Sequence, residues 1–206
     1  MKPSYEIAKD LYDIQSVQIK VEGYFTWTSG IQSPIYCDNR LTMSYPAVRQ
    51  KIRQAFIEKI ATMKEKPDVI AGCATAGIPH AAWLAEELNL PMVYVRSSAK
   101  AHGKGNQIEG TFKKGQKILV IEDLISTGGS SIHAAQALRA EGGVVIGVLA
   151  IFTYGLAKSI SHFSGADIEF DTITGFDELL YVLVKDGQIK ENDKQKLLAW
   201  RDQVEA

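Results

Sequence analysis

Lys117-Ile118-Leu119-Val120-Ile121-Glu122-Asp123-Leu124-Ile125-Ser126-Thr127-Gly128-Gly129-Ser130-Ser131 is the stretch from which the rest of the chain can be read. Four of its first five residues are apolar and mostly β-branched, which predicts a strand buried on both faces over Lys117–Ile121. Two adjacent carboxylates, Glu122 and Asp123, mark the expected strand end. A small-residue turn, Thr127-Gly128-Gly129-Ser130, follows, and then an amphipathic run from Ser131 to Glu141 that reads as a helix. Glycines let successive N–H groups close on an anion, and the helix adds its unpaired N–H groups and positive dipole end. Thr127, Ser130 and Ser131 add hydroxyl donors, so the turn reads as a phosphate cradle. The acid pair cannot face the phosphate and must serve something neutral or cationic beside it, such as sugar hydroxyls or a metal-bound sugar. The spacing is neither that of a Walker loop nor that of the dinucleotide fingerprint.

With 206 residues, the chain has room for one main domain and an appendage. Its 46% apolar and 23% charged residues suit a globular protein with a real core. A net charge of −1 carries no electrostatic footprint for nucleic acid. No apolar run is long enough for a membrane span, and the N-terminus lacks a signal-peptide core. Cys37 and Cys73 lack metal-site spacing and read as buried free thiols of a cytoplasmic protein.

The remaining periodicities predict a first helix over residues 4–20 and a hairpin across Tyr24–Asp38 around a Ser-Gly turn. A helix follows over Tyr45–Met63, a strand over Asp68–Gly72 and a helix over Pro79–Leu88. Met92–Val95 and Val144–Phe152 read as further strands. A helix at Leu156–Phe163, a strand at Ile168–Ile173 and helices at Asp177–Lys185 and Asp193–Val204 complete the chain. Strands alternating with helices predict an α/β fold with a mainly parallel sheet covered on both faces. Ligands in such sheets bind beyond the carboxyl ends of the strands. Three loops would gather there: Cys73–Gly77, Arg96–Gly110 and Glu122–Ser130. The second is polar, glycine-rich and cationic, with no strand or helix period, and reads as a lid. The helical surroundings of His80, His133 and His162 predict structural or surface roles.

The stretch V-I-E-D-L-I-S-T-G-G-S-S resembles the signature of the type I phosphoribosyltransferases, which bind phosphoribosyl pyrophosphate (PRPP). Two further motifs, F-T-W-T-S-G-x-x-S-P-I-Y from Phe25 and R-x-x-x-K-x-H-G from Arg96, resemble the orotate phosphoribosyltransferases. The resemblance implies a phosphoribosyltransferase core over residues 45–206 and an N-terminal helix and hood over residues 1–44, with which the C-terminal elements can pack. It implies transfer of ribose 5-phosphate from PRPP to N1 of orotate, giving orotidine 5′-monophosphate and pyrophosphate in pyrimidine synthesis. Lys100 and His102 would be catalytic, stabilising the leaving group. PRPP would be bound by Arg96, Lys100, His102, Glu122, Asp123, Leu124, Ile125, Ser126, Thr127, Gly128, Gly129 and Ser130, and orotate by Ser126. Mg²⁺ would enter chelated by substrate oxygens, with no dedicated metal ligands on the protein. The cationic loop would reach a neighbouring subunit's site, which implies a homodimer.

The chain departs from relatives at five positions. Ser97 stands where some have lysine, and Thr75-Ala76 where some have Tyr-Lys. Thr28 and Tyr154 stand where some use a lysine and an arginine on the base and its carboxylate. A purine or uracil phosphoribosyltransferase would share the central motif without the other two. A PRPP-sensing regulator on the same fold would need a nucleic-acid surface that the charge pattern does not supply.

Overall fold

The computed structural model describes residues 2–26, 30–97 and 107–204. Helix α1 spans Pro3–Asp13 and is followed by strands β1 (Val17–Ile19), β2 (Phe25–Thr26), β3 (Gln32–Ser33) and β4 (Ile35–Cys37). A 3₁₀ helix, Asn39–Ser44, leads into α2 (Pro46–Thr62). The core then runs β5 (Val69–Cys73), α3 (Gly77–Leu88), β6 (Met92–Val95), β7 (Ile108–Glu109), β8 (Lys117–Ile125), α4 (Gly129–Ala140) and β9 (Val144–Thr153). It closes with α5 (Ala157–Gly165), β10 (Phe170–Gly175), α6 (Phe176–Lys185) and α7 (Glu191–Gln203). No helix among the described residues is long and apolar enough to cross a membrane.

Six strands form one sheet in the order β10-β9-β8-β5-β6-β7, parallel throughout except for the antiparallel β6–β7 edge. Alternation along the strands divides the core. Ile70, Leu119, Ile121, Leu149 and Ile151 face one layer with α1, α2, α3 and α6. Val69, Ala71, Ile118, Val120, Val148 and Ala150 face the other, with α4 and Phe163 of α5. Burial on both faces explains why β5, β8 and β9 read as continuous apolar runs rather than alternating ones. The N-terminal residues Ile7, Leu11, Val17 and Ile35 join the first layer, and the Trp200 indole of α7 donates to the Gln32 carbonyl at 3.1 Å.

Three expectations are corrected. The first helix stops at Asp13, not near residue 20. Gln15 adopts a left-handed φ of 60°, and Val17, which continues the helical stripe in sequence, lies in β1 paired with Cys37 of β4. The central strand does not end at the acid pair, because its ladder with β9 continues through Glu122↔Ala150 to Ile125↔Thr153. The polar stretch after Arg96 returns as a strand at Ile108–Glu109, paired with Tyr94 and Val95. Smaller shifts place the starts of α3 and α4 two residues earlier than expected, at Gly77 and Gly129.

Candidate active site

From β5 the chain leaves through α3 to β6 on one side of the sheet. From β8 it leaves through α4 to β9 on the other. The boundary between β5 and β8 is therefore the point at which strand order reverses, and crevices open at such points. Pairing between the two strands ends at Gly72↔Ile121, whereas β8 runs on for four more residues against β9 alone. The released edge forms one wall of a cleft of about 540 Å³. The Ala74–Ala76 loop, Cys37, Asp38 and Arg40 of the hood, and the Glu122–Ser130 segment line it. The Ala74–Thr75 peptide is cis. Gly77 is required beside the loop, since a Cβ there would fall on the Ile121 carbonyl oxygen.

The pleat of β8 gives the two acids different surroundings, because successive side chains point to opposite faces. Glu122 lies on the α4 side, 4% exposed, where its Oε2 accepts from the Ser130 and Ser131 hydroxyls, both at 3.2 Å. Its Oε1 accepts from the Asp123 amide at 3.0 Å. Glu122 thus grips the Thr127–Ser130 turn from beneath. The free thiol of Cys73 is buried against it, and burial, followed by the Glu122 charge, keeps that thiol protonated. Asp123 lies on the other face, toward the hood. Burial and the charge of Glu122 raise its pKa to about 8, so Asp123 carries a proton at neutral pH.

The turn itself is held from outside the motif. Gly128 has φ +84°, and an added Cβ would meet the Phe163 ring at 2.5 Å. His162 Nδ1 lies 3.1 Å from the Thr127 carbonyl. Neighbouring α5 therefore braces both residues that shape the turn. The first N–H groups of α4 open toward the cleft above Gly129 and Ser130, as a phosphate site requires.

Most of the expected site residues gather here. Glu122, Asp123, Leu124, Ser126, Thr127, Gly128, Gly129 and Ser130 line one cleft. Ile125 sits in the core instead, and its carbonyl accepts from Thr153 Oγ1 at 3.0 Å and from the Tyr154 amide at 3.2 Å. Arg96 lines an adjoining cavity of about 280 Å³ with Cys73, Ala74, Ser97, Ser130 and His133. Its guanidinium lies 3.6 Å from Glu109. Gln107 Nε2 donates to the Arg96 carbonyl at 3.0 Å and lies 2.6 Å from His133 Nε2, tying the base of the cationic loop to α4. Lys100, His102, Lys104 and Thr28 lie outside the described residues. Tyr154 is buried, and burial raises its pKa.

The sequence reading missed the hood's contribution. Asn39, 1% exposed, accepts from Ser16 Oγ at 2.9 Å and donates through Nδ2 to the Asp123 carbonyl at 2.8 Å. Asp38 and Arg40 on either side of it line the cleft. The one available signal was an acid and a cation two residues apart just after a strand.

A phosphoribosyl transferase domain model matches residues 43–164, more than half of the chain. The orotate phosphoribosyltransferase of Oceanobacillus iheyensis is 59% identical over 199 residues, covering 97% of this chain and 98% of that protein. The chain belongs to the orotate phosphoribosyltransferase family. The Staphylococcus haemolyticus orotate phosphoribosyltransferase is 53% identical over 97% of this chain and 98% of its own length. Among solved structures, the orotate phosphoribosyltransferase of Aeropyrum pernix superposes with a TM-score of 0.74 at 27% identity, covering 89% of this chain and 99% of that one. As expected, the fold is the type I phosphoribosyltransferase α/β fold with its mainly parallel sheet.

Proposed function

We propose that this cleft carries out the family reaction, in which orotate and PRPP give orotidine 5′-monophosphate and pyrophosphate. The observation that carries the reading is the meeting, at one switch point, of the braced Thr127–Ser130 turn, the start of α4 and a half-buried acid. The turn and helix start suit the 5′-phosphate. Asp123 and the main chain beside it suit the ribose hydroxyls, and the protonated form of Asp123 can donate as well as accept.

With phosphate and ribose so held, C1 faces the gap between the hood and the Ala74–Ala76 loop. The C1–O bond to pyrophosphate breaks with its electron pair leaving on oxygen, and the N1 lone pair of orotate forms the new C1–N bond. The proton on orotate N1 passes to water, so no side chain need act as a base. Lys100 and His102 offer cationic donors to the departing pyrophosphate, where charge develops. The oxygen-rich substrates suit Mg²⁺ held chiefly by substrate oxygens. Bound there, the ion would neutralise pyrophosphate charge. A homodimer in the cytoplasm fits the same family reading; Leu41, Met43 and Tyr45, close in sequence at the end of the hood, are each exposed apolar side chains that a second copy could cover.

A spectrophotometric assay tests the proposal by following loss of orotate absorbance with PRPP and Mg²⁺. Rapid Mg²⁺-dependent loss, with uracil and hypoxanthine inert, is the expected result. A folded protein that binds PRPP but leaves orotate untouched would sink the reading.

A further inference from the structure

Orotate differs from uracil by a carboxylate, and the cleft is poorly suited to a second negative charge. Its described lining carries three acidic side chains, Asp38, Glu122 and the protonated Asp123, against one cation, Arg40. Tyr154, at the position where some relatives place an arginine, is buried in the apolar layer and bears no cation. If the substrate's carboxylate is held by charge from among the described lining residues, Arg40 is the group available.

Its geometry suits the task. Asp38 accepts from Arg40 Nε at 2.6 Å and from Nη2 at 2.8 Å, a side-on fork that aims the guanidinium plane. The Asp38 carboxyl is held below its ordinary range by that partner, so the tether stays ionised at neutral pH. A guanidinium has five N–H groups, of which Asp38 takes two. Among the described residues, Nη1 has no hydrogen-bond partner. The end-on fork of Nη1 and the second Nη2 proton is therefore left for another planar oxyanion, and the side chain is 61% exposed at the cleft rim.

Position decides which anion. Nucleophile and leaving group occupy opposite faces of the anomeric carbon in a displacement. The Ala74–Ala76 loop and the hood both line the cleft, and on the reading proposed above the loop meets the departing pyrophosphate while the hood covers the base. Arg40 belongs to the hood, immediately after β4, and Asn39 next to it is bonded to the Asp123 main chain. That is the side from which the base enters. We infer that Arg40, aimed by Asp38, receives the orotate carboxylate in its end-on fork and so sets the preference for orotate over uracil. This rests on the orotate reading above.

The test compares two nucleotides that differ only in that carboxylate. Calorimetric titration of orotidine 5′-monophosphate and UMP into the wild-type protein and into Arg40→Gln and Arg40→Lys isolates the group. Loss of a charge-assisted fork should weaken orotidine 5′-monophosphate by roughly 10- to 100-fold in Arg40→Gln, with UMP unchanged. Arg40→Lys should recover only part, because a lysine offers charge without the fork. In steady state the KM for orotate should rise by a similar factor while that for PRPP holds. Equal weakening of both nucleotides, or a KM rise confined to PRPP, would overturn the assignment and move Arg40 to the ribose or the leaving group. The function itself is judged separately, by turnover of orotate in the wild-type enzyme. Asp38→Asn, which removes the tether but keeps the cation, serves if Arg40→Gln does not fold: a loss of orotidine 5′-monophosphate affinity with UMP unchanged supports the inference, and no selective loss contradicts it.

Discussion

At the scale of single residues, Asp123 and His80 each set function or packing against stability. Asp123 has its pKa raised from 3.8 to about 8 by burial and by Glu122, so the folded state holds a proton that the unfolded chain releases. Its contribution is therefore full below pH 4 and is lost as the pH rises through 8. Asp123→Asn should remove that loss, raising Tm at pH 8 by roughly 2–4 °C for each kcal/mol recovered, while PRPP binding weakens. Thermal scans at pH 5 and pH 8 check it, and an equal Tm for both proteins at pH 8 would count against the buried acid. His80 runs the other way. It is 3% exposed, lies 3.1 Å from Thr42 Oγ1, and burial lowers its pKa from 6.5 to about 4. The unfolded chain takes up a proton there first, so stability falls as pH drops from 6.5 to 4, by about 3 kcal/mol from this group. Denaturant midpoints for His80→Gln should be flatter across that window than those of the wild type.

Among the elements, β8 with the turn after it and the helix that braces it act as a unit. Alanine at Gly128 needs a φ of +84° and space occupied by Phe163, so the turn must shift. Such strain costs on the order of 1–3 kcal/mol. Since the turn is the proposed phosphate contact, Gly128→Ala should raise the KM for PRPP well before it unfolds the protein. Leu119→Ala in the same strand should do the reverse. Leu119 is fully buried in the first layer, away from the cleft, and its loss should cost about 2–5 kcal/mol with kinetic constants near wild type below the melting range. Urea midpoints paired with PRPP saturation curves separate the two cases. The strand-turn-helix unit was legible in sequence because its parts are local: an apolar run, a glycine turn, a helical stripe. Its length was not. Pairing with β9 carries the ladder through the acids to Ile125, and no residue of β8 signals where its neighbour ends.

For the whole molecule, the proposed sharing of sites between two copies has a testable consequence. If each cationic loop serves the partner's cleft, Lys100→Ala and Asp123→Asn should each be nearly inactive alone yet complement when mixed. Random pairing of equal amounts gives one intact site in half of the dimers, or roughly a quarter of wild-type activity. No recovery after subunit exchange would mean that each chain serves its own cleft. The sequence by itself determined the α/β class, the parallel strands and the glycine turn between β8 and α4, because apolar period and glycine spacing are properties of neighbouring residues. Resemblance of three motifs added the substrates. What only the tertiary structure decided is how the site is assembled. The pleat sends Glu122 to the turn and Asp123 to the hood, and α5 supplies Phe163 and His162 beneath the turn. Asn39 reaches the Asp123 main chain across 84 positions, bringing Asp38 and Arg40 to the cleft with it. Contacts at that separation leave no periodic trace in a sequence. They form only when a common core, here the layer joining Val17 and Ile35 to Leu119 and Ile121, holds the hood and sheet together.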